Sequence, residues 1–205
     1  MKKSVLLIAS GLAHPPFLAV WRLRALVRAC FPHVLSVHSL EALAGLDLSK
    51  ISALVLYFHH QTISEAALQA FERFVSCGGG VLALHSATAS FKSCPRYTQI
   101  LGGRFTGHGA IAPFQVYPVE GENAPFEGLG GFAVQDELYL HDLQPGIRVH
   151  FEARLEGRLI PVVWTYQYGA GRVCYAVPGH TAGSLKNPAY RAILRCGLEW
   201  VATGP

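Results

Sequence analysis

Residues 78–91 read Gly-Gly-Gly-Val-Leu-Ala-Leu-His-Ser-Ala-Thr-Ala-Ser-Phe, and this stretch decides the fold class. The run from Val81 to Leu84 is apolar at every position, which is typical of a strand buried on both faces of a parallel sheet. The run stops at His85 and Ser86, and small residues follow. Open α/β sheets bind ligands at the carboxyl ends of their strands, so the pattern predicts a site that begins at His85.

Short apolar runs alternate with helical spacing on the amino-terminal side of this stretch. Segments 4–10 and 53–58 are predicted strands, and segment 17–30 repeats apolar residues at helical spacing. A second helix is predicted after Thr62, because Thr62 and Glu65 have the spacing of a capping box. The alternation of strand and helix predicts a parallel sheet with right-handed crossovers.

The carboxyl-terminal half shows a different pattern. Predicted strands occupy segments 114–119, 132–139, 149–155, 160–167 and 172–177. Glycine-containing turns separate the last three, which is typical of antiparallel hairpins. A closing helix is predicted over 188–202. Because there is no linker or repeat, residues 1–205 are predicted to form a single α/β domain. Its sheet is expected to be mostly parallel, with an added antiparallel portion in the carboxyl-terminal half.

Composition sets limits on location and partners. Hydrophobic residues make up 51% of the 205 residues and charged residues 15%, which supports a sizeable core. The net charge of +4 is small and scattered, so nucleic-acid binding is not expected. Five cysteines without a C-x-x-C pair predict reduced thiols and a cytoplasmic protein. The apolar run 5–9 is too short for a signal peptide, and no run approaches the ~20 residues that a membrane helix needs.

Ten histidines are present, and several follow the ends of predicted strands. His14, His85 and His180 do so, and His108 lies in a loop after the central strand. If their strands run in one direction, these side chains meet at one edge of the sheet, where imidazoles can bind a metal ion or transfer protons near neutral pH. The alternative is that each is a polar loop residue. That alternative is preferred for the other six, which are His33, His38, His59, His60, His141 and His150.

The metal hypothesis rests on this convergence, because the sequence has no H-E-x-x-H pattern and no clustered Cys/His spacing. The predicted ligands are His85, His108 and His180, which come from distant segments. Imidazole together with a carboxylate suits a divalent zinc, manganese, nickel or iron ion better than magnesium or calcium.

A carboxylate pair and a serine could also take part in chemistry. Asp136 and Glu137 are adjacent, and neighbouring strand residues point to opposite faces, so only one carboxylate can face such a site easily. Ser86 follows the predicted strand at a position similar to a nucleophile elbow, but Leu84 and Thr88 replace the glycines of G-x-S-x-G. Ser86 is therefore expected to bind substrate rather than to act as a nucleophile.

Four stretches, in order, resemble motifs of the trehalose-utilisation (ThuA-like) family. Residues 80–87 are similar to its Gly-apolar-His-Ser-Ala motif, and residues 101–108 to its Gly-Gly-x-Phe-x-x-His motif. Residues 136–139 are similar to Asp-Glu-apolar-Tyr, and residues 161–180 to the carboxyl-terminal signature. The resemblance covers nearly the whole chain. One departure is Gly109, which stands where a proline is expected after the motif histidine.

The resemblance implies a flavodoxin-like, three-layer α/β sandwich related to the class I glutamine amidotransferases. Those enzymes carry a cysteine at the elbow, and this sequence does not, so glutaminase activity is not expected. The resemblance also implies a role in sugar catabolism, with a small carbohydrate substrate related to trehalose or to a keto sugar.

Resemblance and spacing together assign roles to seven residues. The predicted catalytic residues are His85, His180 and Glu137. The predicted substrate-binding residues are His14, Ser86, His108 and Tyr139. Two other hypotheses stay open: a binding or regulatory protein that keeps the fold without catalysis, and a hydrolase that uses Ser86. The sequence also leaves open whether the chain forms a homo-oligomer.

Overall fold

The structure is a computed structural model that describes residues 4–10, 15–121 and 123–203. Its helices are α1 (Phe17–Cys30), α2 (Glu65–Ser76), α3 (Pro95–Leu101) and α4 (Pro188–Thr203). Its strands are β1 (Ser4–Ala9), β2 (Val34–Val37), β3 (Ile51–Tyr57), β4 (Gly80–Leu84), β5 (Gly103–His108), β6 (Ala112–Pro118), β7 (Phe132–Asp136), β8 (Tyr139–Leu143), β9 (Arg148–Leu155), β10 (Arg158–Tyr168) and β11 (Gly171–Ala176).

Nine strands of the described chain form one sheet in the order β2-β1-β3-β4-β11-β10-β9-β6-β7. The pairs from β2 to β11 are parallel, and the pairs from β11 to β7 are antiparallel. Strand β11 joins the two halves, since it runs parallel to β4 and antiparallel to β10. The predicted fold class, a parallel sheet with an antiparallel addition, is confirmed.

Helices cover both faces of the parallel half. The chain moves from β1 outward to β2 in one direction and from β3 to β4 in the other. Right-handed crossovers therefore place α1 and α2 on opposite faces. Helix α1 contacts α4, and α2 contacts α3, which gives the three layers of a flavodoxin-like sandwich. Every residue of β3 and β4 is buried between these layers, which explains why their sequences are apolar at nearly every position.

Two local predictions were wrong. Helix α2 begins at Glu65, and its cap is Ser64, whose Oγ accepts a hydrogen bond from the Ala67 N–H at 3.2 Å. Thr62 lies too far upstream to cap it. The predicted strand 132–139 is two strands, because β7 ends at Asp136 and β8 begins at Tyr139. Strand β8 leaves the main sheet and pairs with β5 in a separate antiparallel ribbon.

The described chain contains no helix that combines the length and the apolar character needed to cross a membrane. All five cysteines lie within the described residues, and each is a free thiol, as the sequence predicted.

Candidate active site

His85 lies at the carboxyl end of β4 and is fully buried. Its backbone has a φ of 44°, a left-handed conformation that non-glycine residues rarely adopt and that marks strained functional turns. Its Nδ1 lies 3.0 Å from the Val177 carbonyl oxygen. Because a carbonyl only accepts, Nδ1 carries the proton of this hydrogen bond, and Nε2 is the nitrogen that faces the site.

Glu137 lies at the centre of a cluster of three histidines, His85, His108 and His180, called the histidine cluster below. One carboxylate oxygen, Oε2, is 3.0 Å from His180 Nδ1 and 3.6 Å from His85 Nε2. The other, Oε1, is 3.5 Å from His108 Nδ1. The Glu137 side chain is 11% exposed, so water screens little of the interaction between its carboxyl group and the imidazoles. Three imidazoles from three distant segments therefore meet at one carboxylate.

The meeting of His85 and His180 follows from the direction of β11. Strands β4 and β11 are parallel, so the residues after Leu84 and after Ala176 emerge at the same edge of the sheet. Gly179 packs directly against His85: a Cβ added at Gly179 would lie 2.7 Å from the His85 Cβ. Only glycine fits at this position, and the close approach brings the ring of His180 to 5.6 Å from that of His85.

The neighbouring carboxylate, Asp136, points away from the imidazoles and is fully buried. It accepts hydrogen bonds from the backbone N–H groups of residues 137, 179, 180 and 181 and from the Ser184 hydroxyl. Burial raises the pKa of Asp136, and these hydrogen bonds partly offset that effect. Of the adjacent pair, Glu137 is thus the one that faces the histidines.

Aromatic rings from the β5–β8 ribbon form a wall beside the cluster. The Tyr139 ring lies 4.1 Å from the His85 ring and stacks on His108 at 5.4 Å. Phe105 packs behind Tyr139 at 4.6 Å. Burial raises the pKa of Tyr139, and the charges of Glu137 and Asp136 raise it further. The phenol therefore stays protonated and can donate a hydrogen bond to a ligand.

A set of buried polar groups holds the backbone of His85 through hydrogen bonds. The Tyr175 hydroxyl donates to the His85 carbonyl oxygen at 2.8 Å. The Thr88 hydroxyl lies 2.9 Å from Tyr175 Oη and 2.9 Å from His141 Nε2. Burial lowers the pKa of His141 to about 3, so this imidazole is neutral and serves as a hydrogen-bonding partner. His141 was predicted to be a loop residue, but it lies in β8.

Donor atoms suitable for a metal converge at the same place. One ligand atom each from His85, Glu137 and His180 lie within 4.8 Å of one another. Two imidazoles and one carboxylate form a donor set that suits zinc or a non-haem iron-type ion. The hydrogen bond from His85 Nδ1 to a backbone carbonyl is the arrangement usual for a ligating histidine. His108, a predicted ligand, is not part of this group.

The family model for trehalose utilisation, ThuA, matches residues 5–201. The chain belongs to the ThuA family. No curated protein matches it.

Solved structures agree with this assignment at the level of the fold. A ThuA-like protein from Parabacteroides merdae has a TM-score of 0.85 at 20% identity, covering 98% of this chain and 90% of that one. A ThuA-like protein from Bacteroides uniformis has a TM-score of 0.79 at 15% identity, covering 97% and 90%. A β-galactosidase from Rahnella sp. R3 contains a similar domain, with a TM-score of 0.70 at 16% identity, covering all of this chain and 32% of that one.

In this ThuA-family chain, the predicted substrate-binding residue Ser86 does not join the observed cluster. His14 lies outside the described residues. Ser86 is fully buried, and its Oγ makes no hydrogen bond to any described residue. The residue with elbow-like backbone geometry is His85, not Ser86. No base is therefore placed to activate Ser86 among the described residues.

His150 was predicted to be a plain loop residue, and this was wrong. It lies in β9, fully buried, with Nδ1 2.6 Å from Asn123 Oδ1 and Nε2 2.7 Å from Thr165 Oγ1. His60 does lie in the loop after β3, as predicted, and its Nε2 is 2.7 Å from Ser10 Oγ.

Proposed function

We propose that this ThuA-family protein is an enzyme that acts on a small carbohydrate, related to trehalose or to a keto sugar, at the Glu137 cluster. The observation that supports the proposal is the carboxylate of Glu137, which lies 3.0–3.6 Å from nitrogen atoms of three imidazoles. The cluster lies at the carboxyl edge of the parallel strands, where α/β proteins bind their ligands. Imidazole and carboxyl side chains are the groups that most often transfer protons in enzymes.

The proposed chemistry is proton transfer at a sugar carbon next to a carbonyl. Such a step needs a base for the proton and a partner for the oxyanion that forms. His85 is held by Val177 with Nε2 facing the site, which suits the base. His180 and His108 are more exposed, at 27% and 39%, and can donate to the oxyanion. Glu137 orients the imidazoles or acts as the second acid/base group.

The donor set also fits a divalent transition metal, and zinc, manganese, nickel and iron are the candidates. His85, Glu137 and His180 would hold it, since their ligand atoms lie within 4.8 Å of one another. Such an ion supplies Lewis acidity for a carbonyl oxygen. The protein's own contribution is to fix the tautomer of His85 through Val177 and to place Tyr139 as a neutral hydrogen-bond donor.

The structural relatives give the carbohydrate proposal a context. The β-galactosidase from Rahnella sp. R3 and an exo-β-1,4-mannosidase from an Opitutaceae bacterium both contain this fold, but the chain matches only 32% and 36% of them. Their activities therefore do not carry over to this chain. What they support is the occurrence of the domain in proteins that handle sugars.

Elemental analysis and an activity screen test the proposal together. Protein purified without a histidine tag should contain a transition metal or bind zinc or cobalt in titration. Mass spectrometry and NMR should detect isomerisation, hydration or cleavage in a panel of keto sugars and disaccharides. Glu137→Gln should abolish the activity found, and His38→Gln, on an exposed loop, should not. If the panel gives thermal shifts without turnover, the protein is a binding or regulatory protein instead.

The Ser86 hydrolase makes a different prediction. A serine-reactive phosphonate should inactivate a Ser86 enzyme and leave a histidine or metal enzyme active. Because Ser86 is fully buried, we expect no labelling of that residue. Peptide mapping of a labelled Ser86, with loss of activity in Ser86→Ala, would overturn the proposal.

The proposal extends to location and partners. A cytoplasmic location is supported by five free thiols and by two matched Salmonella typhimurium structures described as cytoplasmic proteins, at 13% and 11% identity. The expected partner is a small carbohydrate, with neither nucleic acid nor membrane involved. The sequence left open whether the chain forms a homo-oligomer, and light scattering on the purified protein measures its oligomeric state directly.

A further inference from the structure

Asp136 lies behind the histidine cluster and holds the loop that carries His180. The Val177 N–H still bonds the Val162 carbonyl oxygen of β10, and the loop then leaves the sheet, with residues 178–183 in no strand of the described chain. Three successive backbone N–H groups of this loop, at residues 179, 180 and 181, point to the Asp136 carboxylate at 3.1, 3.0 and 3.4 Å. The Ser184 hydroxyl also donates to it.

The distribution of these bonds over the two oxygens is informative. Oδ1 accepts from the backbone N–H of Glu137 at 2.8 Å and from that of His180 at 3.0 Å. These are the two residues whose side chains meet 3.0 Å apart in the cluster. One oxygen atom therefore fixes the backbone separation of the pair, and charge-assisted bonds of this kind are stronger than neutral ones.

The other oxygen, Oδ2, links the same loop to His85. It accepts from the Gly179 N–H at 3.1 Å, and Gly179 packs so closely on His85 that a Cβ there would lie 2.7 Å from the His85 Cβ. A shift of the loop would therefore move both His180 and the surface against which His85 rests. We propose that Asp136 is a positioning residue that sets the geometry of His85, Glu137 and His180 without touching the ligand.

The predicted effects on activity and metal binding rest on the proposed function. The claim that Asp136 holds the loop in place does not depend on it. The informative substitution is Asp136→Asn, which keeps the size of the side chain but replaces one acceptor oxygen by an amide group. An amide NH₂ cannot accept from backbone N–H groups, so two backbone contacts are lost in either orientation of the amide. They are those of residues 137 and 180 if the NH₂ takes the Oδ1 position, and those of residues 179 and 181 if it takes the Oδ2 position. Asp142→Asn is the matched control, because Asp142 is exposed on β8, away from the histidine cluster, and its ion pair is with Arg104 of β5.

Four measurements should be made on both variants and on the wild type. In Asp136→Asn, amide hydrogen exchange at residues 179–181 should accelerate at least about 10-fold, and the His180 ring resonances should shift. Affinity for zinc should fall about 10–100-fold, which is typical for loss of a residue that supports metal ligands. Turnover should fall through kcat with little change in KM. Asp142→Asn should match the wild type in each measurement.

The outcomes separate this inference from the proposed function. If Asp136→Asn leaves amide exchange and the His180 resonances unchanged, Asp136 does not position the loop and the inference is wrong. If the wild type binds no metal and shows no turnover, the proposed function fails, and the exchange data alone decide the role of Asp136. If Asp136→Asn does not fold, through-hydrogen-bond couplings between the His180 and Glu137 amide nitrogens and the Asp136 carboxyl carbon decide it in the wild type. Their absence would overturn the inference.

Discussion

Two fully buried histidines occupy contrasting surroundings. His150 lies within the antiparallel half of the sheet, and both of its ring nitrogens are within 2.7 Å of a neutral partner, Asn123 or Thr165. His85 lies at the carboxyl edge of the parallel half, where Nδ1 bonds to a carbonyl and Nε2 faces the Glu137 carboxylate across 3.6 Å.

The difference teaches that burial alone does not identify a functional histidine. At His150 the ring is saturated by hydrogen bonds, so the side chain has nothing left to offer a ligand and contributes to stability. At His85 the distance to Glu137 is longer than a good hydrogen bond, and two more imidazoles share that carboxylate. A proton, a metal ion or a substrate atom can enter this arrangement.

The largest effect that the contrast predicts is on catalysis. His85→Gln and His180→Gln should each reduce turnover by at least about 100-fold, because a positioned acid/base group typically contributes 10²–10⁴-fold. The assay is the reaction found in the sugar panel, with circular dichroism to show that each variant is folded. His38→Gln is the control. Near-wild-type turnover by folded His85→Gln would remove His85 from the mechanism.

The next effect concerns stability at the other histidine. His150→Ala should lower the free energy of unfolding by about 3 kcal/mol, because it leaves a cavity and removes the partner of the Asn123 and Thr165 side chains. Turnover per folded molecule should stay the same. Urea denaturation gives the first quantity and an active-site-normalised assay the second. A stability loss below about 1 kcal/mol would mean that the hydrogen bonds at His150 contribute little.

Acid should act on the His150 region in a defined pH window. Burial lowers the pKa of His150 from 6.5 to about 4. The unfolded chain therefore binds this proton first as pH falls, and the contribution of His150 to stability is complete above pH 6.5 and lost between about 6.5 and 4. His141 acts in the same direction, since burial lowers its pKa to about 3.

The variant His150→Gln separates the contribution of His150 to the pH dependence of stability from that of His141. Over that pH window, the unfolding free energy of the wild type should fall more steeply than that of His150→Gln, by up to about 1.4 kcal/mol per pH unit. Urea denaturation at pH 4.5, 5.5 and 7 measures both slopes. Parallel slopes would show that His150 is protonated alike in the folded and unfolded chains.

The sequence predicted the parallel half well, and the reasons are physical. Strands buried on both faces are apolar at nearly every position, so β4 and most of β3 are visible as unbroken apolar runs. The end of the β4 run is also marked in the sequence by the change to His85 and Ser86. His85 could therefore be placed at the carboxyl edge of the sheet. The direction of β11 was not visible, because its sequence fits a parallel or an antiparallel partner equally well, and the position of His180 depends on it.

The residues that sequence reasoning misplaced lie where regular spacing breaks. In β9 the register shifts opposite β10, so Val149 and Phe151 each have a paired residue in β10 and His150, between them, has none there. Alternation along that strand therefore does not predict which face His150 occupies. The ribbon of β5 and β8 was missed because β5 begins with Gly103 and contains Gly107, which weaken the pattern of a strand. The position of His141 could have been predicted from Tyr139, because residues two apart in a strand lie on the same face of it.

The smallest predicted effect concerns the backbone conformation of His85. His85 has a positive φ, whereas His150 lies within strand β9. A φ of 44° is costly for a residue with a Cβ and free of that cost for glycine. His85→Gly and His85→Ala both remove the imidazole and should lose activity equally. They should differ in stability, with the glycine variant about 1 kcal/mol more stable, because it relieves the left-handed strain that alanine retains.

Urea denaturation of the two variants side by side measures the difference, and packing losses largely cancel because both lack the ring. A glycine variant less stable than the alanine variant would mean that the turn after β4 is not strained, and that its geometry is set by the hydrogen bonds of Tyr175 and Thr88 alone.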